Sequence, residues 1–153
     1  MRVYSESGIE FTKSFEGLRT EAYRDAGGVW TIGYGHTGRE VHAGLAWTPE
    51  QAEEALRCDV TEPVSFVNNI VKQPLEQHQF DALVDFCFNC GTGNLERSEL
   101  LRKVNAGDMQ GAAAQFGLWV HDAAGATLPG LVARRRAEAA MFLGQATAEE
   151  AKG

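Results

Sequence analysis

The sequence lacks a long hydrophobic run. Apolar residues make up 44% and charged residues 23% of the 153 residues, which is the balance of an ordinary globular protein, so we expect no transmembrane segment. Residues 1–7 contain no apolar core of the roughly 7–15 residues that a secretory signal needs, which predicts a product that accumulates in the cytoplasm. This chain length predicts one domain over residues 1–153.

Basic residues are also scarce. The chain has 14 Lys and Arg against 21 Asp and Glu, a net charge of −7, which argues against a general affinity for nucleic acid. One tight basic cluster stands at residues 134–136. For Arg135 and Arg136 we predict a solvated helix face.

Cysteine is limited to Cys58, Cys87 and Cys90. An odd number without a signal segment favours free thiols in a reducing compartment. Cys87 and Cys90 form a C-x-x-C pair, but no second pair of ligands accompanies them, so we interpret them as small apolar fillers of a buried helix. We therefore expect no metal and no cofactor. The alternative, a thiol redox or zinc protein, predicts that replacing both cysteines abolishes function.

A helix is predicted near the start of the chain. Residues 7–10, Ser-Gly-Ile-Glu, have the pattern of a capping box, and Gly17 is a natural stop for the helix that follows. Glu16 then lies in the last turn of this helix.

Short β-prone segments follow at residues 22–24 and 29–32. The residues between them, Asp-Ala-Gly-Gly, are typical of a turn, which predicts a small antiparallel sheet. Glycines at 33, 35 and 38 indicate tight backbone turns just beyond it.

The remainder of the chain is predicted to be helical. Thr48 and Pro49 begin a helix that Pro63 should interrupt, and residues 80–88 form a buried central helix that ends at Gly91. Three more helices are expected: one opened by Ser98, one opened by Asp108 and one over residues 131–143. Residues 121–130 are predicted to form a loop and residues 145–153 a frayed tail. The fold class is α+β, mainly α.

Two carboxylates are candidates for glycosidic bond hydrolysis, which needs an acid for the leaving oxygen and a second group to handle the nucleophile. Glu16 at a helix end and Asp25 at a strand end can face one cleft, with the Thr31 hydroxyl on the returning strand. Glu16 would have to keep its proton among apolar neighbours while Asp25 stays ionised. Spacing alone favours the plainer interpretation of two surface carboxylates.

The context of these residues changes that balance. Residues 16–25 (EGLRTEAYRD) and 30–37 (WTIGYGHT) resemble the catalytic segment of the phage-type lysozymes, glycoside hydrolase family 24. The resemblance continues at residues 79–93 and 128–138 and covers about residues 7–143. It implies a lysozyme-like fold: a catalytic helix and sheet lobe at 7–47, joined by a helix to a helical lobe at 48–143, and a tail at 144–153.

The resemblance also implies a function and residue roles. Glu16 is expected to protonate the leaving sugar oxygen, and Asp25 with Thr31 to position or activate water, giving inversion. The bond is the β-1,4 link between N-acetylmuramic acid and N-acetylglucosamine in peptidoglycan, cut by an endolysin that lyses the bacterial host at the end of a phage cycle.

Three further residues are implied to support the site. His36 is expected to brace the sheet and the Glu16 helix, Asn89 to bind a substrate N-acetyl group, and Arg134 to face the catalytic Glu. The tryptophans Trp30, Trp47 and Trp119 could stack on sugar rings, although at least one should belong to the core.

The resemblance also implies where the protein acts and which partner it depends on. We expect a monomer without stable membrane insertion that waits in the host cytoplasm and depends on a holin for access to the wall in the periplasm.

Two alternative functions remain. A lytic transglycosylase also needs one catalytic Glu, but the presence of both Asp25 and Thr31 favours hydrolysis. A wall-binding module or decayed lysozyme would keep the fold without the chemistry.

Overall fold

The computed structural model describes residues 1–145, so most of the predicted tail, residues 146–153, lies outside the described residues. The predicted α+β, mainly α fold is confirmed. The three strands are β1 (Arg19–Arg24), β2 (Trp30–Gly33) and β3 (His36–Thr37). The helices of the described residues are α1 (Glu6–Glu16), α2 (Pro49–Asp59), α3 (Thr61–Ile70), α4 (Gln77–Cys90), α5 (Thr92–Glu96), α6 (Glu99–Asn105), α7 (Met109–Gln115) and α8 (Pro129–Phe142), with a short 3-10 turn at Phe116–Leu118.

The chain divides into two compact units. Residues 9–62 form the sheet unit, and residues 1–8 together with residues 63–145 form the helical unit. This division differs from the boundary predicted at residue 47. The reason is that α2 packs on β2 and β3 and therefore belongs with the sheet.

The first helix ends where the sequence predicted and begins slightly earlier. The Ser5 hydroxyl accepts a hydrogen bond from the Gly8 N–H at 3.0 Å, so Ser5, and not Ser7, caps the helix. Gly17 follows α1 with φ of +72°, a left-handed conformation that glycine adopts cheaply. Glu16 is consequently the last residue of the helix.

The predicted antiparallel sheet is confirmed, with strand order β1-β2-β3. Thr31 lies at its centre, opposite Tyr23 on β1 and Thr37 on β3. The third strand was not predicted, because two residues next to a glycine-rich turn are too short for a recognisable alternation. Gly33 and Gly35 make that turn with φ of +68° and +78°.

The predicted interruption at Pro63 is also confirmed. Thr48 and Gln51 form the capping box that opens α2, and this helix ends at Asp59 with Val60 as its carboxyl cap. Pro63 lies in the first turn of α3. In that turn the backbone N–H groups have no partner within the helix, so the missing N–H of proline removes no hydrogen bond of the helix.

The core of the helical unit surrounds α4, as predicted. Phe80, Leu83 and Phe86 on this helix are at most 2% exposed, and Gly91 ends it with φ of +94°. The predicted caps of α6 and α7 are present, since the Ser98 side chain accepts from the Leu101 N–H at 3.0 Å and the Asp108 side chain from the Gly111 N–H at 2.9 Å. The five-residue α5 was missed.

The last helix corrects one prediction. Arg136 is exposed as expected, but the predicted solvated position of Arg135 was wrong, because its side chain is 0% exposed. Its Nη2 donates to Glu138 Oε2 at 2.8 Å, and Glu138 is equally buried. A cation can lie in this core because a buried carboxylate compensates it.

Within residues 1–145, every helix falls short of the length and hydropathy that crossing a lipid bilayer requires.

Candidate active site

Glu16 lies at the carboxyl end of α1, half-buried, with its side chain against the turn between β2 and β3. A Cβ built on Gly35 would come within 2.5 Å of Glu16 Oε1, so the carboxylate occupies the space that the missing side chain leaves. Gly35 has φ of +78°, a conformation that a larger residue would adopt only with strain. The glycine thus admits the carboxylate to the sheet surface.

Asp25 begins the turn that connects β1 to β2, and its side chain shapes that turn. Asp25 Oδ1 accepts hydrogen bonds from the N–H groups of Gly27 and Val29, both at 2.9 Å. The Asp25 N–H also donates to the Val29 carbonyl at 2.9 Å. Within residues 1–145 nothing donates to Oδ2, and the residue is exposed, so this oxygen faces solvent as an acceptor.

Thr31 lies on β2, two residues beyond Val29, and its side chain is directed to the backbone of that residue. Its hydroxyl donates to the Val29 carbonyl at 2.9 Å. Because the only hydroxyl hydrogen is used there, the oxygen can act only as an acceptor toward a further group. The residue is 4% exposed, which fixes the hydroxyl position.

His36 on β3 lies between two carboxylates. Its Nδ1 is 2.7 Å from Asp59 Oδ2 at the end of α2, and its Nε2 is 2.6 Å from Glu40 Oε1. Burial lowers the pKa of His36, but the hydrogen bonds to Glu40 and Asp59 outweigh this effect and raise the pKa above its ordinary value. The Trp47 ring lies 5.3 Å from the imidazole, centroid to centroid. His36 therefore links β3, the loop that carries Glu40 and the end of α2. It follows Gly35, the glycine that leaves room for the Glu16 carboxylate.

Lys13 fixes the last turn of α1. Its Nζ is 2.8 Å from Glu53 on α2 and 3.1 Å from Glu10, and it lies 5.4 Å from the centre of the Tyr34 ring. The hydrogen bond to Glu53 is the main reason that the pKa of Lys13 is raised above its ordinary value. This contact holds the helix that carries Glu16 to α2 and to the β2–β3 turn.

Asn89 lies in the helical unit, one residue before the end of α4, and is exposed. It lines an open depression of about 660 Å³ together with Trp119 and Asp122. Trp119 packs edge-on against Phe86 at 5.5 Å, so part of the indole belongs to the core and part borders the depression.

Arg134 is buried on α8 and pairs with Asp85 of α4. Its Nε and Nη2 donate to the two oxygens of that carboxylate, both at 2.9 Å, in a two-pronged ion pair. Glu138 lies 3.9 Å away. Burial, and then the neighbouring Asp85, raise the pKa of Glu138 well above its ordinary value, while the two guanidinium groups oppose this shift.

The three cysteines are free thiols, as predicted. Cys87 is 1% exposed in the core, which confirms its role as an apolar filler. Cys90 differs: Arg135 Nη1 donates to its Sγ at 2.6 Å, and burial raises the pKa of the thiol to about 11. Within residues 1–145 no group of three or more His, Cys, Asp or Glu side chains is arranged to hold a metal ion.

The other two tryptophans lie on the sheet unit. The Arg24 guanidinium covers the Trp30 ring at 4.9 Å, and Trp47 packs against the backbone of Gly33 and the ring of His36.

The structure thus gathers Glu16, Asp25, Thr31 and His36 in the sheet unit, whereas Asn89 and Arg134 lie in the helical unit. Sequence reasoning missed the contact between Gly35 and Glu16, and it missed the other residues that hold the first group in place: Lys13, Val29, Glu40 and Asp59. The glycine-rich turn predicted just beyond the second β-prone segment was the available signal for that contact. The others act through tertiary contacts, or through a backbone carbonyl, that no local pattern displays.

The phage lysozyme family model matches residues 13–138 of the chain. The chain belongs to the phage lysozyme family. This family member is 43% identical over 141 residues to the endolysin of Acyrthosiphon pisum secondary endosymbiont phage 1, covering 90% of this chain and 96% of that one. It is 46% identical over 141 residues to the endolysin of Bacillus phage B103 and spans 53% of the length of that protein.

Solved structures agree with this family assignment. The endolysin from Escherichia coli O157:H7 phage FAHEc1 superimposes with a TM-score of 0.90 at 38% identity, covering 93% of this chain and 94% of that one. The muramidase domain of SpmX from Asticaccaulis excentricus gives a TM-score of 0.87 at 42% identity, with 94% and 99% covered. The predictions of family, of lysozyme-like fold and of a lysozyme-class enzyme are confirmed.

Proposed function

We propose that the chain is an endolysin that hydrolyses the β-1,4 links from N-acetylmuramic acid to N-acetylglucosamine in bacterial peptidoglycan. Membership of the phage lysozyme family supports the class of reaction, and the endolysin names of the relatives support the role in host lysis. One observation carries the chemistry: Asp25 and Thr31 present two oxygen acceptors that are each fixed by a hydrogen bond to the backbone of Val29.

Two acceptors that are both anchored to Val29 are suited to hold one water molecule. A water that donates one hydrogen to Asp25 Oδ2 and the other to Thr31 Oγ1 keeps its lone pairs for attack. The Thr31 hydroxyl cannot reverse its role, because its own hydrogen is donated to the Val29 carbonyl. This arrangement supports a direct attack by water on the sugar.

Glu16 is the general acid in this proposal. Its proton goes to the glycosidic oxygen as the bond from that oxygen to the anomeric carbon breaks. The water oxygen bonds to the anomeric carbon from the opposite face, and its released proton passes to Asp25. The configuration is inverted, and solvent then returns a proton to Glu16 and removes one from Asp25.

Three residues support this chemistry in the proposal. His36 positions the β2–β3 turn on which the Glu16 carboxylate rests. Asn89 contributes its side-chain amide to binding of an N-acetyl group, since it is exposed beside the Trp119 indole. Arg134 acts by orientation, as a guanidinium held in place by Asp85.

We propose further that the monomeric enzyme is made in the host cytoplasm and reaches the wall after a holin has permeabilised the membrane. Expression alone should then leave cells intact, and added chloroform should clear the culture within minutes. Lysis without any permeabilising agent would contradict this part of the proposal.

The turbidity of purified peptidoglycan tests the central role of Glu16. The wild type should clear the suspension, and Glu16→Gln should be slower by a factor of about 100 or more, because the amide cannot donate the proton. Glu50→Gln is a matched control, since Glu50 is an exposed carboxylate in the first turn of α2. Equal rates for wild type and Glu16→Gln would remove Glu16 from its role.

A further inference from the structure

The loop over residues 122–126 repeats the backbone geometry of the loop that carries Asp25. In residues 25–29 the first N–H donates to the fifth carbonyl at 2.9 Å, and the same bond in residues 122–126 measures 2.9 Å. The fourth N–H donates to the first carbonyl in both loops, at 2.9 and 3.0 Å. The fourth residue is a glycine in both, with φ of +80° at Gly28 and +87° at Gly125.

The side chains of the two leading aspartates repeat as well. Asp122 Oδ1 accepts from the N–H groups of Ala124 and Ala126, both at 2.9 Å, as Asp25 Oδ1 does from the third and fifth residues of its own loop. Nothing in residues 1–145 donates to Asp122 Oδ2, and Asp122 is exposed. The chain therefore uses one loop device twice to fix a carboxylate and keep one oxygen available.

Asp122 lies where a ligand has room. It lines the open depression of about 660 Å³ in the helical unit, together with the exposed amide of Asn89 and the indole of Trp119. The isolated bridge between His121 and Thr127 closes the base of the loop, so the carboxylate is held on a short hairpin. Trp119 is anchored against Phe86, which fixes the orientation of the ring that borders the depression.

The chemistry of this wall fits an uncharged, hydroxyl-rich ring. The apolar face of a sugar packs on an indole, and the hydroxyl and acetamido N–H groups of the sugar are donors that a carboxylate oxygen accepts strongly. The positive charge of Arg135, which also lines the depression, is compensated by Glu138. Because that guanidinium is buried and already bound to Glu138, the exposed carboxylate of Asp122 disfavours an acidic sugar substituent.

We propose that Asp122 and Trp119 form a subsite for a neutral N-acetylhexosamine ring, with Asp122 selecting N-acetylglucosamine over a sugar that bears a carboxylate. The choice of a glycan as ligand rests on the proposed function. The role of Asp122 goes beyond it, because this residue takes no part in the bond cleavage.

Binding of the N-acetylglucosamine tetramer tests this subsite without requiring turnover. The titration is followed by NMR in the Glu16→Gln background, with the indole N–H resonance of Trp119 assigned by Trp119→Phe. The substitution Asp122→Asn is then introduced into the Glu16→Gln background. It keeps an acceptor for the two loop N–H groups but replaces Oδ2 with a donor. We expect the dissociation constant to rise about tenfold, the loss expected for one charge-assisted hydrogen bond.

Asp108→Asn is the matched control. Asp108 also accepts a backbone N–H at 2.9 Å and is exposed, but it caps α7 outside the depression. This variant should leave the dissociation constant unchanged. In the catalytically competent background, Asp122→Asn should raise the KM for peptidoglycan, and Asp108→Asn should not.

Equal affinities of the two aspartate variants for the tetramer would overturn the subsite, and so would a Trp119 resonance that the tetramer does not move. These outcomes are distinct from a failure of the proposed function. A wild type that binds the tetramer at Trp119 and Asp122 but cleaves no peptidoglycan would support the subsite and refute the hydrolase.

Discussion

Asp25 and Thr31 are hydrogen-bonded to the same residue: the carboxylate of Asp25 accepts the Val29 N–H, and the hydroxyl of Thr31 donates to the Val29 carbonyl, each at 2.9 Å. The acidic residue of the turn and the hydroxyl of the following strand are thereby fixed relative to one residue, Val29. A water molecule bound by both would be held without any long, flexible side chain.

The Thr31 hydroxyl should accordingly be required for turnover more than for folding. Thr31→Val keeps the shape and loses the acceptor, so we expect kcat on peptidoglycan to fall by a factor of about 100, within the range for a group that assists proton transfer. Thr31→Ser should restore most of the activity. Thr37→Val is the control, because Thr37 is the exposed partner of Thr31 on β3. An equal loss in both valine variants would point to damage to the sheet and not to a lost water site.

Gly35 should be essential because it gives space to Glu16. Gly35→Ala places a Cβ within 2.5 Å of Glu16 Oε1 and also strains the backbone at φ of +78°. Gly44→Ala strains the backbone similarly, at φ of +88°, but its new Cβ meets no atom within 4 Å. Both variants should lose about 1 kcal/mol of stability. Activity per folded molecule should drop only in Gly35→Ala, and a matching drop in Gly44→Ala would refute the contact.

The placement of Asp25 and Thr31 on one hairpin could be partly predicted from the sequence. Turn residues after Asp25 and the β-prone segment around Thr31 are local signals, so the helix end, the hairpin and the three candidate catalytic residues could be located in advance with the help of the family resemblance. The short β3 and the five-residue α5 could not, because so few residues show no periodicity. The environment of Arg135 was mispredicted, since its compensation by Glu138 depends on the burial of α8, which charge patterning does not reveal.

The stability of the fold should depend on pH through His36. Its pKa in the folded protein is raised above the unfolded value of about 6.5, so its contribution is fully present below that pH and is lost as pH rises through the folded pKa. Urea unfolding of the wild type should therefore show a decline in stability above pH 6.5 that His36→Gln lacks. His42→Gln, which alters an exposed histidine whose ring contacts the neighbouring Ala43 carbonyl, should retain the decline. A His36→Gln profile parallel to that of the wild type would contradict the assignment.

Arg135 should stabilise the helical unit far more than its neighbour does. Arg135→Leu leaves the buried Glu138 without its closest cation, and breaking such a pair costs about 3–5 kcal/mol. Arg136→Leu removes an exposed charge and should change the free energy of unfolding by less than about 0.5 kcal/mol. Chemical denaturation measures both, and similar costs for the two variants would mean that the buried pair contributes little.

Mass spectrometry of the sugars released from purified peptidoglycan tests the central claim most directly. Hydrolysis by a water held at Asp25 and Thr31 predicts products with a free reducing end, and NMR of the fresh products should show the inverted anomer. Products lighter by one water, the anhydro sugars of a transglycosylase, would contradict a mechanism in which water attacks the anomeric carbon.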